Sequence, residues 1–318
     1  MVSALSTFAR AKREGRKLVM VSLYDAPTAA IACEAGVDAL LVGDSLGNVI
    51  LGHDNTIAVT MDDMARHTAA VVRGARASAR PDVPVVADLP FGSYPDLLTA
   101  TRNAVALMQA GAHAVKLEGE YSELVVGLRR QGIPVLGHLG YTPQSSLLYE
   151  GIVQGRTARG ARTVADEAAA LDAAGCFGIV LEALTAEVAT AITGQIRGAT
   201  IGIGAGAGCD GQVLVFHDLV GLSPGRLKFV KRYADTRELW SRAVREYVRE
   251  VQDGGFPATE HAWNMTADEA RRYGFQVDPE TQSGPVKEAP KDGDSSVESS
   301  GETGSANAVN GHRKGAPV

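Results

Sequence analysis

The chain has 318 residues, which fits one α/β barrel of about 250 residues with extensions as well as two average domains. Hydrophobic residues make up 45%, enough for a large core and against wholesale disorder, while 5% aromatics argue against an aromatic-rich recognition module. A net charge of −6 offers no basic field to a nucleic acid, and Cys33, Cys176 and Cys209, without a CxxC pair, argue against a disulfide framework or thiolate zinc site and fit a reducing cytoplasm.

Met1 to Lys17 mixes Arg and Lys with Ala and Ser and has no apolar h-region, so no secretory signal is expected there. A transit peptide shares that basic bias, but a short amphipathic helix capping the domain is the preferred reading. No apolar run approaches the ~18 residues that span a bilayer, which predicts a soluble protein.

From residue 18 to 218 one theme repeats: a short apolar run, a Gly-rich or polar loop, then an Ala-rich helical pattern. The first four runs are Leu18 to Leu23, Ala39 to Val42, Val83 to Ala87 and Ala114 to Leu117. The next four are Pro134 to Leu136, Gly178 to Leu181, Thr200 to Ile203 and Val213 to Phe216. Continuous rather than alternating hydrophobicity predicts strands buried on both faces, as in a parallel sheet covered by helices. Helical patterns fall between most of them, over 62–76, 96–110, 120–130 and 163–174. Ala35-Gly36, Ala110-Gly111 and Ala174-Gly175 each mark a helix end just before a strand. Eight strands in βα alternation predict an α/β protein, a (β/α)8 barrel in preference to a doubly wound sheet.

A further helix begins near Thr236, with Leu239, Trp240, Val244, Tyr247, Val248 and Val251 at the spacing of one buried face. Thr266 to Tyr273 opens with the capping pattern Thr266-Ala-Asp-Glu269. Residues 276–318 contain no Leu, Ile, Phe, Tyr, Trp, Met or Cys, and seven acids face four bases. Such a segment cannot bury enough apolar surface to offset its chain entropy, so a barrel domain over 1–275 and a disordered acidic Ser/Gly/Pro-rich tail over 276–318 are expected.

Chemistry gathers where the runs end. Gly43-Asp44-Ser45 follows the second run, Asp88 the third, Glu118 the fourth with Lys116 two residues before it, His138 the fifth and Glu182 the sixth. In a barrel these ends converge on one rim, where active sites are built. Asp44, Asp88 and Glu118 are hard oxygen donors suited to Mg²⁺, which would chelate an α-keto acid and stabilise an adjacent enolate. Lys116 is placed to neutralise carboxylate or enolate charge, in preference to forming a Schiff base. Glu182, on another strand and not needed as a ligand, is the candidate general base.

His138 is read either as a group that orients substrate or a carboxylate, or as a structural strand-end residue. His53 either lines the pocket or fixes its loop, and His67, His113 and His217 are taken as structural. The glycine-rich stretch 202–208 lacks the strand-to-helix context of a dinucleotide fingerprint, and is read as a rim loop leaving room for a bulky cosubstrate.

LLVGDSLGNVILGHDNTIAVTMDDMARHTAAV (40–71), VVADLPFGSY (85–94), AVKLEG (114–119), GHLGYTPQS (137–145), VQGR (153–156) and IVLEAL (179–184) form an ordered series. With GIGAG and DGQVLVFHD (202–206, 210–218) it resembles the ketopantoate hydroxymethyltransferase family over roughly residues 5 to 264. The resemblance implies a barrel of the phosphoenolpyruvate/pyruvate superfamily type and a Mg²⁺-dependent, class II aldolase-like reaction of pantothenate synthesis. A one-carbon unit would pass from 5,10-methylenetetrahydrofolate to 3-methyl-2-oxobutanoate, giving 2-dehydropantoate and tetrahydrofolate. It further implies one metal ion per subunit on Asp44, Asp88 and Glu118, keto-acid contacts from Asp44, Ser45, Asp88 and Lys116, Glu182 as proton acceptor, and a homodecamer of two pentameric rings. Members usually end near the His261 region, so the tail is not explained by the resemblance. Two rivals stand beside it: a lyase or mutase on the same barrel, disfavoured because Gly119-Glu120-Tyr121-Ser122 lacks a cysteine, and a non-catalytic keto-acid- or folate-binding barrel, which would need no base.

Overall fold

The computed structural model describes residues 4–225 and 227–276. It opens with α1 (Ala4–Glu14), β1 (Leu18–Ser22), α2 (Ala26–Glu34) and β2 (Ala39–Val42). A short α3 (Leu46–Val49) and a long α4 (Met61–Ala77) precede β3 (Val85–Asp88), α5 (Leu97–Gln109) and β4 (Ala114–Lys116). Next come α6 (Ser122–Arg130), β5 (Val135–Gly140), a 3-10 segment at Pro143–Leu148, α7 (Ala158–Ala174) and β6 (Gly178–Glu182). α8 (Ala186–Gln195), β7 (Ala199–Ile203), β8 (Gly211–Val215) and α9 (Phe216–Leu219) follow. α10 (Thr236–Gln252), a 3-10 turn at Thr259–His261 and α11 (Ala267–Tyr273) close the described part.

The eight strands are all parallel and close in sequence order, β8 pairing back onto β1 from Leu18↔Gly211 to Ser22↔Val215. This is the expected (β/α)8 barrel. Several helices start where a short polar side chain replaces a missing backbone partner. Asp25 accepts from the Thr28 amide at α2, Asp96 from the Thr99 amide at α5, and Thr157 from the Gly160 amide at α7. Thr60 and Asp63 cap α4 reciprocally. Gly36, Gly111 and Gly175 take left-handed φ of 99°, 107° and 99°, as the Ala-Gly pairs predicted.

Strand side chains alternate between two apolar shells, so both faces are buried. Leu18, Met20, Leu41, Val86, Leu136, Val180, Ile201 and Val213 fill the barrel interior. Leu40, Val42, Val85, Val115, Val135, Ile179 and Leu181 belong to the layer shared with the helices. Helix α1 supplies the cap read from sequence: Phe8 is fully buried with the interior set, its ring edge-on to Phe177 at 5.1 Å. Lys12 donates to the carbonyls of Thr193 and Gly198 and to Asp210 at 2.8–3.0 Å.

Two sequence expectations need correction. The fifth run does not stop at Leu136; β5 continues to Gly140 and carries His138 within the strand. The apolar face of α10 is not buried: Leu239, Trp240, Val244, Tyr247, Val248 and Val251 are all substantially exposed. Periodicity records that an apolar face exists, but not what it packs against.

The chain divides into two compact units between Glu246 and Tyr247. In the second, the Tyr247 ring meets Phe256 at 5.6 Å and Phe256 meets His261 at 5.0 Å, while Thr266 accepts from the Glu269 amide to start α11. The expected disordered tail, Gln276 apart, lies outside the described residues. Among the described residues no helix is long and apolar enough to cross a membrane.

Candidate active site

Register places the first charges. Asp88 ends β3 opposite Lys116 at the end of β4, and the Lys116 ammonium sits 2.7 Å from Asp88 Oδ2 and 3.7 Å from Glu118 Oε1. Asp44 lies two residues past β2, and its amide donates to Asp88 Oδ2 at 3.1 Å. His138 on β5 brings Nδ1 to 3.2 Å from Glu118 Oε1 and Nε2 to 3.2 Å from Glu182 Oε2, without hydrogen-bond alignment at either nitrogen. Asp44, Asp88, Lys116, Glu118 and His138 are no more than 4% exposed, whereas the Glu182 side chain keeps 18%.

Burial and mutual repulsion set the electrostatics. Desolvation, then Glu118 and Asp88, hold the Asp44 carboxyl well above its ordinary range. Asp88 is also raised by burial, although Lys116 opposes it. Glu118 is lowered: burial would raise it, but His138 and Lys116 outweigh that. Burial likewise works against a charged His138, yet Glu118 and Glu182 push its pKa up to about 9. Four carboxyl groups therefore crowd around one ammonium and one imidazolium, and a bound cation would favour the ionised forms that burial opposes in Asp44 and Asp88.

A hydrogen-bonded frame holds these groups. Gln144, 4% exposed, donates through its side-chain amide to Asp44 Oδ2 at 2.8 Å and the Leu89 carbonyl at 2.9 Å. Its backbone amide donates to Glu118 Oε2 at 3.0 Å, and its side-chain carbonyl oxygen accepts from the Tyr94 hydroxyl at 2.5 Å. One residue thus orients two carboxylates. The Ser45 hydroxyl is 2.7 Å from the buried Tyr24 hydroxyl, which also receives Ser22 at 3.3 Å. Gln144 and Tyr94 lie within the sequence motifs, yet the sequence assigns them no role. Nothing in their spacing announces contacts that are made across loops.

Glu182 depends on a glycine. Gly140 ends β5 in register with Glu182, at φ +94°, and a Cβ there would stand 2.2 Å from the Glu182 carbonyl oxygen. Gly140→Ala is expected to displace the end of β6 and reduce catalysis by about 10²-fold, as small misplacements of catalytic groups do. Gly132→Ala is the control: φ is +79° but a Cβ meets nothing within 4 Å. That substitution should cost only about 1 kcal/mol of backbone strain and leave turnover intact.

The site opens into a cavity of about 720 Å³ lined by Asp44, Ser45, Asp88, Lys116, Glu118, His138 and Glu182. The six residues nominated from sequence as ligands, substrate contacts and base are therefore together. His217, read as structural, also lines the cavity, whereas His53 does not and only its carbonyl holds Asn48. His67 and His113 are structural as expected, at 2.7 Å from the Tyr24 carbonyl and 3.1 Å from the Val85 amide. The glycine-rich loop is explained by internal packing, not by space for a cosubstrate. A Cβ on Gly204 would meet Phe229 at 2.9 Å, on Gly206 Ala186 at 2.7 Å and on Gly208 Thr190 at 2.0 Å.

Among the described residues no three acidic, His or Cys side chains enclose a metal position as they stand; the carboxylates turn toward Gln144, Lys116 and His138. The donor set nevertheless suits a hard divalent cation. It is all oxygen, and it includes Asp88 Oδ1, which is buried without a hydrogen-bond partner.

Comparison with known proteins bears on the fold and the family. Among solved structures, 2,3-dimethylmalate lyase, a PEP mutase/isocitrate lyase superfamily member, aligns with a TM-score of 0.52 at 19% identity, covering 86% of this chain and 94% of its own. Phosphonopyruvate hydrolase in complex with oxalate and Mg²⁺ aligns at 0.53 and 12%, covering 86% and 95%. These similarities show the fold, a closed (β/α)8 barrel. The 3-methyl-2-oxobutanoate hydroxymethyltransferase of Carboxydothermus hydrogenoformans is 49% identical over 267 residues, 82% of this chain and 95% of the relative. The protein of the same name from Frankia casuarinae is 50% identical over 264 residues, 80% and 86% of the two chains. The ketopantoate hydroxymethyltransferase family model matches residues 3–259, and the chain belongs to that family of transferases.

Proposed function

We propose that this chain transfers a hydroxymethyl group from 5,10-methylenetetrahydrofolate to 3-methyl-2-oxobutanoate. The products are 2-dehydropantoate and tetrahydrofolate, with water supplying the hydroxyl oxygen. The observation that carries the proposal is the buried cluster of Asp44, Asp88, Glu118 and Lys116 beside the more open Glu182, in a chain of this family.

Asp44, Asp88 and Glu118 would hold one Mg²⁺ per subunit. The cation would polarise the keto oxygen and stabilise negative charge developing at the adjacent carbon. Asp44, Ser45, Asp88 and Lys116 would contact the keto acid, with the Lys116 ammonium balancing its carboxylate. Glu182 takes the proton from C3. His138, its pKa pushed up to about 9, places Nε2 3.2 Å from Glu182 Oε2, so its positive charge stands beside the proposed base. Tyr24 fixes the Ser45 hydroxyl at the cavity wall. A homodecamer in the cytoplasm, with residues 1–275 as the catalytic domain, completes the proposal.

The test is proton exchange at C3 of 3-methyl-2-oxobutanoate in D₂O, followed by NMR with Mg²⁺ and no folate. Exchange that disappears with EDTA, followed by 2-dehydropantoate formation once the folate is added, is the expected result. Absence of exchange with metal demonstrably bound would overturn the proposal.

A further inference from the structure

Seven residues in the described part carry a buried side-chain polar atom without a hydrogen-bond partner: Thr56, Thr68, Asp88, Ser93, His138, His217 and Ser223. Five of them line the 720 Å³ cavity, and only Asp88 and His138 belong to the acidic cluster. Each such atom costs about 1–3 kcal/mol when nothing satisfies it, so their concentration in one cavity points to a ligand that does. The volume lies in the range that encloses drug-sized ligands, well beyond a five-carbon keto acid.

The remaining three sit away from Lys116. His217 belongs to α9, directly after β8, and Ser223 to the loop that follows it. In a closed barrel of eight strands taken in order, β8 stands across from β4, which bears Lys116. Thr56, 3% exposed, comes from the loop after β2. Between them the cavity wall includes the Asp218 carboxylate and Phe229, whose ring is seated against Gly204. The His217 ring is fixed by Tyr24 at 5.7 Å and Phe216 at 6.2 Å. Burial lowers its pKa, with Asp25 and Asp218 opposing, so the neutral imidazole can accept as well as donate. Two hydroxyls, an imidazole nitrogen, a carboxylate and an aromatic side chain match a flat ring system whose edge alternates amino and oxo groups.

We infer that Thr56, His217, Asp218, Ser223 and Phe229 form the subsite for the fused bicyclic head of the one-carbon donor, across the barrel mouth from Lys116. The assignment rests on the folate-dependent reaction proposed above. It places the donor's reactive end between this wall and the keto acid, over Glu182.

Calorimetric titration of the full Mg²⁺-loaded chain with tetrahydrofolate, and with 6-methyltetrahydropterin as the head without its tail, tests it. Thr56→Val and Ser223→Ala each remove one hydroxyl with little change of shape. Each is expected to weaken both ligands about tenfold, the value of one good hydrogen bond. The folate-free C3 exchange should stay unchanged in both, which also reports that they fold. Two variants that bind both ligands as tightly as the original chain would overturn the subsite. An original chain that exchanges the C3 proton but binds neither ligand would instead overturn the folate-dependent reaction, and the subsite with it.

Discussion

Glu182→Gln is expected to slow C3 proton exchange by about 10²–10⁴-fold, the usual worth of a positioned general base. Affinity for the keto acid and for the divalent cation should stay within a few-fold. The amide keeps the shape of the side chain but cannot take up the proton. Glu182 is singled out because the other three carboxylates are committed: Asp44 to Gln144, Asp88 to Lys116, Glu118 to His138 and the Gln144 amide. Its side chain alone of the four keeps appreciable exposure, 18%, toward the cavity. NMR exchange rates and calorimetric titrations of Mg²⁺ and keto acid separate the two effects. Exchange at the original rate would move the base elsewhere, with His138 the nearest titratable neighbour.

Lys116→Met is expected to act on stability and catalysis together. The substitution keeps the buried stem but leaves Asp88 without its partner at 2.7 Å, in a pair whose side chains are each 3% exposed. Breaking such a pair costs about 3–5 kcal/mol, visible as a lower denaturation midpoint in EDTA. Mg²⁺ should recover part of the loss by binding only the folded chain, while C3 exchange remains depressed by about 10²–10³-fold. The deficit has a pH signature. Burial already holds the Asp88 carboxyl above its ordinary range with Lys116 present, and removing the ammonium raises it further. Between the unfolded and folded pKa values the folded chain then binds the extra proton, so stability falls as pH rises through that window. Denaturation in EDTA should therefore show a larger deficit at neutral than at acid pH.

Much of this site was legible in the sequence because βα alternation forces strand ends onto one rim. Asp44, Asp88, Lys116, Glu118 and Glu182 each follow or end an apolar run, and parallel register did the rest. What stayed illegible depends on distances between loops. Gln144 lies in a 3-10 segment, yet it bonds Asp44 a hundred residues earlier. His138 could not be separated from a structural histidine until β5 was seen to run on to Gly140, which sets it between Glu118 and Glu182. His217 looked structural because a histidine after a strand has many uses, and only the cavity distinguishes it. The glycine-rich stretch misled for the same reason: glycine marks close approach, and here the approaching groups are Phe229, Ala186 and Thr190.

The cap formed by α1 also bears on how the chain is made. Phe8 and Lys12 leave the ribosome well before their partners, which lie far downstream: Lys12 is 181, 186 and 198 residues from Thr193, Gly198 and Asp210. At about 5–20 residues per second, synthesis of that stretch takes roughly 10–40 s. Throughout that interval the first helix has no native seat, and its apolar side is available to chaperones. Docking it is therefore a late event, and the barrel is sealed at its base only once β7 and β8 have emerged.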